Sequence, residues 1–204
     1  GDVGFMTAGK GVSHTERTPI ASRTGDTFTM HGYQIWVALP KKHEADEPTF
    51  QYLSGETLPS WTDENLHFTL VAGKGYHQES PLKVFSDLFM VDIRCTGTQT
   101  LKINGQLEGE IAIVVTTGKV LVDDETIENG QMLISKTKDT CEIQVFEDTR
   151  LLLFGGEPLP EERYLYWNFV SSNKETLEQA KRDWVDKKFP QVPGDDTYIP
   201  LPGK

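Results

Sequence analysis

The chain has 204 residues, 37% of them hydrophobic and 25% charged, with a formal net charge of −11. That length supports one large domain or two small ones with a buried core, and the composition excludes disorder along most of it. The acidic balance repels a nucleic-acid backbone, and the densest basic spots, Lys41-Lys42 and Lys187-Lys188, have acidic neighbours, so direct nucleic-acid binding is disfavoured.

The chain opens on Gly1-Asp2-Val3 with no initiating methionine, in what reads as a turn entering a strand, and we expect a fragment. Val3 to Met6 is apolar, and Thr7-Ala8-Gly9-Lys10-Gly11 reads as a turn. Val12 to Arg17 alternates as a strand does, and a polar loop from Thr18 to about Phe28 follows. Tyr33-Gln34-Ile35-Trp36-Val37-Ala38-Leu39 is rich in β-branched and aromatic residues and predicts a buried strand that Pro40 ends. Lys41 to Pro48 reads as a charged, solvated loop.

Further strands are predicted over Leu66–Val71, Ser86–Ile93, Glu110–Thr116, Lys119–Val122, Gln131–Ser135, Cys141–Phe146 and Arg150–Phe154. Turn residues such as Thr117-Gly118 and Asn129-Gly130 separate many of them, which points to an all-β sandwich or barrel. One helix is predicted, opened by a capping box at Ser172 and Glu175, with Leu177, Ala180, Trp184 and Val185 on one face and Phe189-Pro190 closing it. The tail from Gln191 to Lys204 reads as an extended segment over the surface. Cys95 and Cys141 read as small buried apolar residues, with a single bridge between them left open. No apolar run has the length of a membrane span and no signal peptide opens the chain, so a cytoplasmic protein is the simplest expectation.

All five histidines lie at positions 14, 31, 43, 67 and 77, so a barrel built from the later strands has no imidazole to offer a metal. In Ser13-His14-Thr15-Glu16-Arg17, strand geometry would put His14 and Glu16 on one face, offering one nitrogen and one carboxylate oxygen. Taken alone, the His-x-Glu pair more often is an ordinary surface or core pair, and two donors fall short of the three or more that a catalytic iron or zinc takes. Ala8-Gly9-Lys10-Gly11 and Ala72-Gly73-Lys74-Gly75 mimic phosphate loops but lack the Ser/Thr and the helix, and both read as turns. His43-Glu44-Ala45-Asp46-Glu47 reads as a solvated face, Asp123, Asp124, Glu125 and Glu128 as a solvated turn, and His31, His67 and His77 as local, packing or surface residues.

Met6 to Glu16 resembles the pirin signature, in which a T-A-G-x-G turn leads to a strand bearing H-x-E, and His31 to Pro40 resembles the next pirin block. Phe154-Gly155-Gly156-Glu157-Pro158-Leu159, Trp167 to Ser172, the capped helix and Tyr198-Ile199-Pro200-Leu201-Pro202 resemble the end of bacterial pirins, so the resemblance runs along nearly the whole chain in order. It implies two cupin (jelly-roll) barrels, the first incomplete: residues 1–80 the remaining part of an N-terminal cupin, 81–160 a C-terminal cupin without metal ligands, and 161–204 a helix and tail packing on them. The family's metal set is three histidines and one glutamate around one metal, usually iron. The resemblance carries over His14 and Glu16, with two further histidines expected upstream of Gly1. It implies either a quercetin 2,3-dioxygenase-type oxidoreductase acting on a small aromatic flavonol, with Glu16 as the catalytic base, or a redox-sensitive regulator that binds a transcription factor or a metabolic enzyme.

Overall fold

The computed structural model describes residues 1–18, 20–25, 27, 29–135 and 142–203. They form two compact units, one of Gly1–Met6 with Phe50–Pro160, the other of Thr7–Thr49 with Glu161–Lys204.

The first unit is built from strands. β1 (Val3–Thr7) pairs with β2 (Thr49–Leu53) in a small sheet of their own. β3 (Ser60–Asp63), β4 (Leu66–Gly75), β5 (Gln78–Glu79), β6 (Leu88–Cys95), β7 (Gln99–Lys102), β8 (Glu110–Thr117), β9 (Lys119–Val122), β10 (Glu125–Glu128), β11 (Met132–Ser135), β12 (Glu142–Val145) and β13 (Arg150–Gly156) follow. A large sheet runs in the order β11-β8-β13-β6-β4-β3, with β5 added to the end of β4, and a smaller one in the order β10-β9-β12-β7. β3 and β4 precede residue 80 yet are hydrogen-bonded into the same sheet as β6, β13 and β8.

Alternation decides how the two sheets meet. In β4, β6 and β8 every second side chain is buried, and Leu66, Phe68, Leu70, Phe89, Val91, Ile93, Ile111, Ile113 and Val115 point into one core. The smaller sheet answers with Leu101, Val120, Val122, Ile127, Ile143 and Val145. Each such side chain contributes about 1.5–3 kcal/mol by leaving water, and together they fill the space between the sheets with hydrocarbon. Trp61 stacks on Phe68 at 5.0 Å, Tyr76 leans on both, and burial pushes the Tyr76 phenol far above its ordinary value. Cys95 is a buried free thiol in this core, as its sequence reading expects, and Cys141 lies outside the described residues.

Ala72-Gly73-Lys74-Gly75 belongs to β4 rather than to a turn. Between Leu70 and Ala72 the pairing with β6 slips, and Gly73 takes φ +69° with its α-carbon so close to β6 that a β-carbon would sit 1.6 Å from the Leu88 carbonyl oxygen. Glycine is needed here for a bulge.

The second unit holds a hairpin, β14 (Tyr164–Tyr166) and β15 (Phe169–Ser171), and the helix α1 (Lys174–Val185). Its cap is Asn173, whose side chain accepts from the Thr176 amide at 3.1 Å, one residue later than the predicted Ser172. The reason is competition: Ser172 gives both its amide and its hydroxyl to Glu44. Leu177 is buried and Trp184 packs against Trp167, Phe169 and Phe189, whereas Val185, expected on the same face, is 58% exposed. The tail crosses this aromatic group: Tyr198 stacks on Trp184, and the Trp184 indole donates to the Ile199 carbonyl at 2.8 Å. Among the described residues, no helix is long and apolar enough to cross a membrane.

Candidate metal centre

The segment that carries His14 and Glu16 starts from a tight turn. Gly11 donates its amide to the Ala8 carbonyl at 2.8 Å, and the Lys10 amide reaches the Asp46 carbonyl at 2.9 Å. Gly9 takes φ +50°, and a β-carbon there would meet the Asp46 oxygen at 2.0 Å, so the turn must be glycine to lie against the 46–47 backbone. Lys10 also pairs with the Glu47 carboxylate.

Beyond the turn, the structure departs from two sequence expectations. Residues 12–17 form no strand, and neither do residues 33–39, where Tyr33, Trp36 and Val37 are exposed rather than buried. A strand is held by the ladder of a neighbour, and among the described residues none runs beside either segment. Backbone alternation therefore does not set the direction of His14 and Glu16. Both side chains are exposed.

What fixes the segment is side-chain bonding. The Gln34 amide donates to a Glu16 carboxylate oxygen, linking the two irregular stretches. Arg17 donates to Asp195 at 2.5 Å and to the Thr197 hydroxyl at 3.0 Å, which ties the segment to the tail. Arg17 and the Thr197 hydroxyl and amide hold the Asp195 carboxyl well below the usual carboxylate range.

The remaining histidines are engaged elsewhere. His31 meets the Tyr33 hydroxyl at 3.3 Å, His43 bonds to Asp46 at 2.7 Å, His67 to the Thr62 hydroxyl at 3.0 Å, and His77 sits exposed at the β4–β5 turn with φ +59°. No group of three or more His, Cys, Asp or Glu side chains gathers among the described residues. An imidazole and a carboxylate are the right kinds of donor for a first-row metal, but two are fewer than such a site needs.

Sequence reasoning missed Glu44. Assigned to a solvated face, it is instead the acceptor at the centre of the second unit. Its carboxylate takes the Ser172 amide at 2.9 and 3.1 Å, the Ser172 hydroxyl at 3.0 Å, the Ser171 hydroxyl at 3.2 Å and the Arg163 guanidinium at 3.1 Å. Arg163, only 11% exposed, also donates to the carbonyls of Leu39, Glu161 and Glu162. No local signal could have found this cluster, because its members come from distant parts of the chain.

The comparisons with known proteins bear on this geometry. The model of the pirin C-terminal cupin domain matches residues 90–190. A pirin-like protein of Caulobacter vibrioides is 34% identical over 204 residues, which is 98% of this chain and 69% of that protein. This chain belongs to the pirin family. Rat pirin is 26% identical over 196 residues, 92% of this chain and 65% of its own. The chain thus spans 57 to 69% of the length of such curated relatives. A crystal structure of quercetin 2,3-dioxygenase from Acinetobacter baumannii superposes with a TM-score of 0.88 at 30% identity, covering 100% of this chain and 67% of that one. The fold is mostly β with one C-terminal helix, and its structural neighbours are cupin quercetin 2,3-dioxygenases, in keeping with the all-β cupin class that the resemblance implies.

Proposed function

We propose that this pirin family member is a quercetin 2,3-dioxygenase-type oxidoreductase in which His14 and Glu16 furnish part of the shell of a mononuclear iron. The observation that carries this reading is the likeness, over the whole chain, to the Acinetobacter baumannii quercetin 2,3-dioxygenase. The donor chemistry supports it: one imidazole and one carboxylate, two residues apart, both open to a ligand. Two donors do not hold a metal tightly, so further ligands must join them.

Bound iron would supply a Lewis-acidic, redox-active centre for a flavonol and oxygen. The chain's own part is to move a proton. Glu16 is an exposed carboxylate with one oxygen engaged by the Gln34 amide, and as the base it would accept the proton of a flavonol hydroxyl on its other oxygen. Gln34 steadies that carboxylate in position through this hydrogen bond.

The test is oxygen uptake by the iron-loaded protein, expressed in full, with quercetin. Uptake that depends on iron and falls at least tenfold in Glu16→Gln supports the reading. No uptake above the iron-free control overturns it, and partner capture that changes with the oxidation state of the metal would then favour a regulator.

A further inference from the structure

On the outer face of the large sheet, one rung of the ladder runs Thr62–His67–Arg94–Arg150 across β3, β4, β6 and β13. The next rung runs Ser60–Thr69–Asp92–Leu152. Directly opposed side chains on neighbouring strands lie about 5 Å apart, and like charges so placed repel. Arg94 therefore has a second guanidinium on one side and an imidazole on the other, in a protein whose net charge is −11.

The nearby carboxylate does not resolve this. Asp92 receives Arg150 through two bonds, one at 2.9 Å from Nε and one from a terminal nitrogen, so each of its oxygens already faces the Arg150 guanidinium. Among the described residues, Arg94 has no hydrogen bond or ion pair. His67 meets the Thr62 hydroxyl through Nδ1. When Nδ1 accepts that bond, Nε2 carries the proton and becomes a donor. The hydroxyls of Ser60 and Thr69, bonded to each other at 3.1 Å, complete the lining. These groups border one concavity of about 420 Å³.

A concavity lined by an unpaired guanidinium, a second one already neutralised, an imidazole and three hydroxyls has one complement. The geometry points to a binding site for the oxyanion group of a small ligand, a phosphate or a carboxylate, held by Arg94 with His67 and Thr69 beside it. Arg94 offers a fork of donors that matches either group bidentately. Binding would replace the repulsion along the rung with attraction, so the unliganded cost becomes part of the affinity. The site lies wholly in the first unit and does not depend on the oxidoreductase reading.

Isothermal titration of the full chain with inorganic phosphate, and separately with succinate, tests it. Saturable binding of either probe, weakened at least tenfold by Arg94→Ala and partly restored in Arg94→Lys, is the expected result, and the tighter probe identifies the group. Arg23→Ala, which removes an exposed arginine of the other unit, should bind as the parent does. Arg94 is exposed, so its variants should keep the parent's unfolding midpoint, a check that lost affinity is not lost fold. No saturable binding of either probe, or equal binding by Arg94→Ala, overturns the proposal.

Discussion

Replacing Glu44 by alanine strips the second unit of the acceptor that joins the 39–44 segment to the hairpin and the start of α1. The carboxylate is 20% exposed and its Arg163 partner 11%. Removing one side of a buried ion pair costs about 3–5 kcal/mol when the other charge is stranded. Arg163 is not wholly stranded, since three carbonyls still accept from it. The Ser172 amide, which is part-buried, also loses its acceptor, a loss toward the lower end of the about 1–3 kcal/mol that an unsatisfied buried donor costs. Weighing the retained carbonyls and the partial exposure against the orphaned amide gives a destabilisation of about 2–3 kcal/mol. Urea unfolding followed by tryptophan fluorescence reads this unit well, because Trp36, Trp167 and Trp184 lie in it and Trp61 alone lies in the other. The midpoint should fall by about 1–2 M. Glu44→Gln keeps an acceptor without the charge and should lose less than the alanine variant. A change under about 0.5 kcal/mol for Glu44→Ala, the range of an ordinary surface substitution, would refute the reasoning.

Gly73→Ala should destabilise the first unit by about 3 kcal/mol or more, from a positive φ and a backbone collision with Leu88, as read by thermal unfolding. Thr7→Val should raise stability by about 1 kcal/mol, because the Thr7 hydroxyl is buried without a hydrogen-bond partner among the described residues; a lower melting temperature would contradict this. The link between Arg17 and the tail has a defined pH dependence. Asp195 is held below its usual 3.8, so its contribution is complete above that pH and is lost as pH falls through the lower folded value. The near-ultraviolet dichroism of Trp184, on which the tail stacks, should therefore persist to strongly acid pH, and Asp195→Asn should weaken it at neutral pH.

Much of the first unit was legible because its strands repeat every second residue. Leu66 to Val71 and Glu110 to Thr116 alternate cleanly, and the turns at Gly118 and Gly130 carry glycine where φ is positive. Short polar strands such as β3 and β7 were missed, since Ser60–Asp63 and Gln99–Lys102 look like loops and form only because β4 and β12 offer ladders. The same dependence works in reverse at residues 33–39, where the composition asks for a strand and no described neighbour supplies one. In the candidate site, the residue types were legible at His14 and Glu16, but their surroundings were not. The bonds that hold them, from Gln34 to Glu16 and from Arg17 to Asp195, obey no local period. Glu44 was hidden for the same reason: nothing about one acid in a charged run announces an arginine and two serines more than a hundred residues away.

The metal assignment of His14 is best tested by iron content, measured by elemental analysis on His14→Ala and His77→Ala of the full protein grown and purified alike. Both imidazoles are exposed, so general damage to the fold should not separate the two variants. Iron should fall sharply in His14→Ala and stay at the parent level in His77→Ala. Equal iron in the two variants, whether both retained or both lost, would contradict the assignment.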